Sequence, residues 1–120
     1  MLTPGAVIAI PDPRTNPKNR RKWHICVCPP QRLFLRINSK PLWRPWHHLS
    51  ADENSFLEHD SYVELQSLSF FSESELRQAS LVGQLSPEEA KNLALVARTA
   101  VTLAKDRQEL IWERLGSLTD

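Results

Sequence analysis

Cysteine and glycine are both scarce in this chain of 120 residues. The two cysteines, Cys26 and Cys28, are separated by one residue, and a disulfide across so short an extended segment would distort the backbone. We therefore expect two free thiols. The three glycines stand far apart, which excludes a Gly-rich phosphate-binding loop, and we expect no cofactor.

Long apolar runs are also absent. No stretch approaches the roughly 20 apolar residues that span a bilayer. The first ten residues lack the charged-then-apolar order of a signal peptide, because Pro4-Gly5 interrupts them. We expect a cytoplasmic protein that does not contact a membrane, folded as one domain with its own core.

Acidic residues are nearly missing from the first half of the chain. The first fifty residues contain nine Lys/Arg and one acid, while the other seventy contain six Lys/Arg and thirteen acids. The first half also holds Trp23, Trp43 and Trp46. Cations interleaved with rings favour single-stranded nucleic acid, because phosphates are attracted to the cations and bases stack on the rings. The alternative is that the acidic half folds back onto the basic half and neutralises it.

Proline is nearly missing from the second half: eight of nine prolines lie within the first 45 residues. Because proline disfavours helix interiors, the first half is expected to form strands and loops. Runs of β-branched and alternating residues predict strands at 5–10, 23–28, 32–37, 43–49 and 61–68. Short strands with Pro-rich turns predict a small, strongly bent β-barrel.

Helical patterns begin after residue 70. Ser72 and Glu75 form a capping box that predicts a short helix to about Leu81. Ser86-Pro87 begins a second helix, whose apolar spacing continues to about Leu115. That helix would be about 40 Å long, and would kink near Lys105 or extend to a partner. We expect a barrel over residues 1–82 and a C-terminal helical extension of the same domain over 83–120.

A basic segment at residues 14–22 is the first candidate for binding chemistry. It is predicted to be a loop between two strands and carries five cations: Arg14, Lys18, Arg20, Arg21 and Lys22. Arginine holds phosphate with two parallel hydrogen bonds and lysine acts as a point charge, so we expect this loop to bind phosphates. A solvated loop without a ligand is the alternative.

Residues 42–48 are the second candidate. Trp43 and Trp46 would stack on bases, Arg44 would stack or hold phosphate, and His47 would interact with the same RNA. The alternative is that the tryptophans form a buried wall of the barrel.

Two other clusters do not support a site. His24, Cys26 and Cys28 would face the same way on a strand, but their spacing differs from the usual zinc knuckle, so we predict no metal. The run of residues 58–61, Glu-His-Asp-Ser, contains the residue types of a hydrolase triad. Adjacent strand residues face opposite ways, however, and cannot form that relay.

The order of several short motifs resembles the MazF/PemK-like toxin family of toxin–antitoxin systems. Residues 4–12 (PGAVIAIPD) are similar to the family's first strand, and residues 21–27 (RKWHICV) fall where the family has Arg-Pro before an apolar strand. Residues 35–39 (LRINS) match a strand that ends in a functional Thr or Ser, and Leu57-x-x-Asp60-Ser61 is similar to a Leu-x-x-Asp-Ser strand. The resemblance covers about residues 4–80; Lys22-Trp23 replaces the Arg-Pro pair.

The resemblance implies an SH3-like β-barrel, often dimeric, that cleaves single-stranded RNA without a metal. By position, Arg21 or Lys22 would stabilise the phosphate, with Ser39 or Asn38 opposite it, and we place Arg36 among the RNA-binding residues. An antitoxin protein and a second copy of the chain are the expected partners. The alternative is a non-catalytic SH3-like interaction module whose basic face binds a protein or nucleic acid.

Overall fold

The computed structural model describes residues 2–15, 17 and 20–118. Its elements, in chain order, are β1 (Ala6–Asp12), β2 (Arg20–Cys28), β3 (Leu33–Asn38), β4 (Trp46–Leu49), β5 (Ser61–Glu64), β6 (Ser69–Phe70), α1 (Glu73–Leu76), β7 (Ser80–Gln84), α2 (Pro87–Ala97) and α3 (Lys105–Leu115).

The strands form one antiparallel sheet in the order β4-β5-β3-β2-β1-β7, and β6 pairs with β3 outside this path. The expected class, mainly β with C-terminal helices, is confirmed. The sheet is not closed into a barrel, because β4 and β7 each pair on one side only within the part of the chain that is described. No helix among these residues is both long and apolar enough to cross a membrane.

The end of the predicted basic loop is strand rather than loop. β2 begins at Arg20, and Arg20, Arg21 and Lys22 pair with Asp12, Pro11 and Ile10 of β1. The apolar pattern of residues 23–28 predicts this strand but not where it begins. The charged residues at its exposed start have no hydrophobic pattern that would indicate a strand. Further along the chain, the predicted strands at 43–49 and 61–68 are shorter, at Trp46–Leu49 and Ser61–Glu64.

The first predicted helix is much shorter than expected. Its capping box is present, with the Ser72 hydroxyl accepting from the Glu75 N–H, but α1 ends at Leu76. Residues 80–84 instead form β7, which pairs with β1. The sequence Ser-Leu-Val-Gly-Gln has little helix propensity, and pairing along β1 outweighs the local pattern.

The prediction of a single helix of about 40 Å is wrong. α2 and α3 are two helices separated by residues 98–104. Thr99, Val101 and Thr102 are poor helix formers, and the Thr102 hydroxyl donates to the Leu65 carbonyl oxygen at 2.8 Å. The Gln108 side chain donates to the Ala100 carbonyl oxygen at 2.8 Å, which satisfies a backbone group of the turn. The break lets α3 fold back so that both helices pack on the sheet.

Two apolar clusters lie on the two faces of the sheet. The larger joins inward residues of the strands, such as Ile25 and Leu35, to Leu93 of α2 and Ile111 of α3. The smaller lies on the other face around Phe34 and includes Ile8, Ile10, Cys26 and Phe71. The boundary drawn at residue 82 falls inside β7, and the helices share the larger core with the strands.

A register shift in β2 separates the two cysteines. Both are free and buried, as expected. The shift between Cys26 and Cys28 places Cys26 in the smaller cluster and Cys28 in the larger one. The expectation that His24, Cys26 and Cys28 face the same way is therefore wrong, because it assumed a regular strand.

Two leucines of α2 offer a test of this packing. Leu93 is fully buried and Leu95 is 46% exposed. Leu93→Ala should lower the free energy of unfolding by about 2–5 kcal/mol, since it opens a cavity between helix and sheet. Leu95→Ala should cost less than about 1 kcal/mol. Denaturant unfolding monitored by tryptophan fluorescence measures both; equal losses would contradict the packing of α2 described above.

Candidate nucleic-acid interface

The sheet face that α2 and α3 leave uncovered is rich in cations. Strand alternation turns Ile25, Leu35 and Ile37 toward the helices, so Lys22 and Arg36 lie on the opposite side. We use the name cationic face for the following residues on that side: Arg14, Arg20, Lys22, Arg36, Asn38 and Trp46. Six predicted RNA-binding or catalytic residues, from four different segments, therefore share one surface.

The carboxylate of Asp12 lies beneath this face and is fully buried. It accepts two hydrogen bonds from the Arg14 guanidinium, at 3.1 and 3.0 Å, and a third from the Arg14 backbone N–H at 2.9 Å. An Arg36 nitrogen lies 3.6 Å from the same carboxylate. Arg14 also donates to the Ser69 hydroxyl at 3.0 Å, so Arg14 is held in a defined position.

Burial and these cations set the protonation states of the group. Burial alone would raise the pKa of Asp12, but the hydrogen bonds from Arg14 and the charges of Arg14 and Arg36 outweigh it and lower that pKa. Burial, together with repulsion by Arg36 and Arg20, lowers the pKa of Lys22. Asp12 thus faces several cations, and Glu64 of β5 is a second carboxylate whose charge acts on Arg14.

His24 lies between Asp12 and the smaller apolar cluster. Its ring is fully buried and packs edge-on against Phe71, with the centroids 4.9 Å apart. Burial lowers its pKa to about 4, although Asp12 partly opposes this. The imidazole is therefore neutral at pH 7, and its Nε2, 3.7 Å from the Asp12 carboxylate, has no hydrogen-bond partner among the described residues. His24 adds no charge to the cationic face.

Aromatic side chains lie at the β4–β5 end of the same face. The Trp46 ring meets Tyr62 edge-on, with 5.1 Å between centroids, and the Arg44 guanidinium carbon lies 5.7 Å from the Trp46 ring centroid. Trp43, in the loop before β4, is 73% exposed. Of the predicted stacking residues, Trp43 is thus exposed to solvent and Trp46 is half-buried, so neither forms a buried barrel wall.

A cleft of about 230 Å³ opens where β2 and β3 meet the loop before β5. Its lining includes all three predicted catalytic residues, Arg21, Lys22 and Ser39, together with Asn38 and His59. Strand alternation turns Arg21 toward the helix side, whereas Lys22 and Asn38 point to the cationic face, and Ser39 follows the end of β3. The cleft therefore lies at the strand ends, beside the cationic face.

The Arg21 guanidinium is engaged by the fold. It donates to the Ala9 carbonyl oxygen and the Ser80 hydroxyl, both at 2.9 Å, and to the Gln78 carbonyl oxygen at 3.2 Å. These bonds connect β2 to β1 and to the start of β7. Arg21 thus has a structural role that its position in a predicted loop did not suggest.

Two predicted binding residues lie elsewhere. His47 alternates with Trp46 along β4, so it turns to the helix side, where its Nε2 is 3.2 Å from the Glu89 carboxylate. That hydrogen bond lowers the pKa of Glu89; burial opposes it and a hydrogen bond from Asn54 adds to it. Lys18 lies outside the described residues.

Sequence reasoning missed three residues of these sites. In the sequence, Asp12 was noted only as the last residue of the motif at residues 4–12. Its contact with Arg36 depends on the fold and cannot be seen in a linear pattern. Tyr62 and Glu64 reach the cationic face through the pairing of β3 with β5, where Asn38 donates to Glu64 at 3.2 Å. Their alternation in the predicted strand at 61–68 was the available signal. Among the described residues, no group of three or more His, Cys, Asp or Glu side chains could hold a metal ion.

The contacts of Asp12 give a test with a defined pH dependence. Asp12→Asn should lower the free energy of unfolding at pH 7 by about 3 kcal/mol. This value is the lower end of the range for breaking a buried ion pair, and it is chosen because the side chain of Arg14 is half exposed. The pKa of Asp12 is lower in the folded protein than in the unfolded chain. Its contribution is therefore complete above the unfolded value of about 3.9 and disappears as the pH falls through the folded value.

Denaturant unfolding of wild type and Asp12→Asn between pH 2 and pH 8 measures this contribution. The difference between them should be constant above about pH 5 and shrink toward lower pH. Asp52→Asn, a change in an exposed loop, is the matched control and should remain within about 0.5 kcal/mol of wild type. A difference that persists at the lowest pH would argue against an ionised Asp12.

Neither a scan of the chain against protein-family models nor a search of curated proteins finds a match.

Proposed function

We propose that the protein binds single-stranded RNA on the cationic face and is a divergent relative of the MazF/PemK-like toxins. The observation that carries the proposal is the convergence of Arg14, Arg20, Lys22 and Arg36 on one face of the sheet. Phosphates supply most of the affinity of such complexes, through contacts with cations. In this proposal the open sheet is a variant of the SH3-like barrel.

Exposed rings beside the cations favour a single strand over a duplex. Trp43 and the Trp46–Tyr62 pair lie at one end of the face, and Arg44 is next to them. Unpaired bases stack on such rings without sequence preference, whereas the bases of a duplex are already stacked. In the proposed complex the phosphates follow β2 and β3 and the bases reach β4 and the loop before it.

α2 and α3 do not obstruct this surface. They pack on the opposite face, where Glu89 is already paired with His47. Of the acids in the second half, Glu64 of β5 reaches the cationic face, where it accepts a hydrogen bond from Asn38. Binding of an antitoxin protein and assembly with a second copy remain predictions.

Cleavage of the bound RNA is proposed to occur in the cleft. Attack of a 2′-hydroxyl on the adjacent phosphate needs positioning and stabilisation of charge, and no metal is required for either. Ser39 is exposed at the cleft and would donate to a phosphate oxygen, while Lys22 and Arg21 would offset the developing negative charge. The engagement of Arg21 by Ala9, Gln78 and Ser80 favours the second candidate, a non-catalytic module that binds RNA or a protein.

Salt dependence tests the binding interface. With four cations in contact with phosphates, a plot of log affinity for an unstructured RNA against log salt should have a slope of about −3. Arg20→Ala removes one exposed cation and should make the slope less steep by about 0.7. Lys91→Ala, an exposed cation on α2, is the matched control and should leave it unchanged. Fluorescence anisotropy measures the affinities; equal effects of the two variants would contradict the assigned face.

Cleavage of a long unstructured RNA in EDTA tests the catalytic part. Wild type should give discrete fragments, and Ser39→Ala should cut about tenfold more slowly, the equivalent of one hydrogen bond. Ser67→Ala, an exposed serine outside the cleft, is the control. The double variant Arg21→Ala/Lys22→Ala should be inactive, with its folding checked by thermal melting because Arg21 has structural contacts. Binding without cleavage by wild type would support the non-catalytic module.

A further inference from the structure

His59 is a titratable residue of the cleft for which the proposed cleavage has no role so far. It lies in the loop before β5, is exposed, and lines the cleft together with Ser39 of the chain segment after β3. Two hydrogen bonds hold the loop at His59 and at the residue that follows it. The Ser61 hydroxyl donates to the His59 carbonyl oxygen at 3.2 Å, and the Asp60 carboxylate accepts from the Ala51 N–H at 2.9 Å.

The hydrogen bond of the His59 ring determines which of its nitrogens can take up a proton. Nδ1 lies 2.9 Å from the Asp60 carbonyl oxygen. A carbonyl oxygen only accepts, so Nδ1 carries the hydrogen and Nε2 of the neutral ring carries the lone pair. No other hydrogen bond to this ring is present among the described residues. The neutral ring therefore offers a base on the side away from its own backbone.

We propose that His59 is the general base of RNA cleavage in the cleft, an inference that rests on the proposed nuclease function. Nε2 takes the proton of the ribose 2′-hydroxyl as that oxygen forms a bond to phosphorus. The bond from phosphorus to the 5′-oxygen breaks, and this oxygen takes a proton from water. The products are a 2′,3′-cyclic phosphate and a free 5′-hydroxyl, and the imidazolium returns its proton to the hydroxide that is left.

The charges around His59 come from three elements. Arg21 and Lys22 approach from β2, and Glu58 and Asp60 flank it in its own loop. His48 of β4 reaches the group through Asp60, with its Nε2 2.9 Å from the carboxylate. Asn38 and Ser39, which follow from β3, do not titrate. The two cations would hold the phosphate while the imidazole receives the proton.

Rates of cleavage against pH, with RNA affinity measured in parallel, test the role of His59. His59→Ala should lower kcat by about 10²-fold while the Kd for RNA stays within about twofold, because the base acts only in the transition state. The wild-type rate should fall at acidic pH as the imidazole becomes protonated, and the variant should lack this fall. Added imidazole should restore part of the activity of His59→Ala.

His59→Lys is the matched control, since it places a cation in the cleft but accepts no proton at neutral pH. Its activity should be as low as that of His59→Ala. Full activity of His59→Lys would indicate that residue 59 acts only through its charge, and would overturn the inference. Wild-type activity of His59→Ala would overturn it as well. RNA that wild type binds but does not cleave would overturn the nuclease function itself, which is a distinct outcome.

Discussion

The buried carboxylate of Asp12 holds together the side of the sheet that the helices leave uncovered. It has no exposed surface, so its charge must be compensated within the protein. Arg14 and Arg36 provide the compensation from two different segments, at 3.0 and 3.6 Å. Two cations around one anion leave a positive excess. The same contacts thus neutralise a buried charge and fix the direction of the Arg14 side chain.

The alternation of β2 and β3 divides the sheet into a face that packs on the helices and a face that carries cations. Residues such as Ile25 and Leu35 join the core beneath α2 and α3, while Lys22 and Arg36 lie on the other side. The uneven charge of the chain follows this division. The acids of α2 lie on a helix that packs on the apolar side, where the buried Glu89 is paired with His47. α2 and α3 therefore bring no acid over the basic strands, and Glu64 of β5 is an acid that does reach the cationic face.

Local chemistry explains which parts of this structure could be predicted. The two serine caps and the apolar runs of β1 to β3 depend on residues close in sequence, and they were found with small errors at the ends. β7 and the break at residues 98–104 depend on distant partners, namely β1 and the carbonyl oxygen of Leu65. The cleft needs three chain segments at once, so its predicted residues could be named but His59 could not be placed with them. Similarly, His47 was predicted to bind RNA because of its neighbours in sequence. The alternation of β4 instead determines which face of the sheet its side chain lies on.

The register shift in β2 has a consequence for oxidation chemistry. Cys26 and Cys28 are neighbours in sequence but belong to apolar clusters on opposite faces of the sheet. Burial, with a contribution from Cys28, raises the pKa of the Cys26 thiol to about 12, and a thiol that stays protonated is a poor nucleophile. Since the chain contains no other cysteine, the folded protein has no dithiol that could open and close. In the native state both thiols are buried, so neither is presented at the surface to a disulfide in solution.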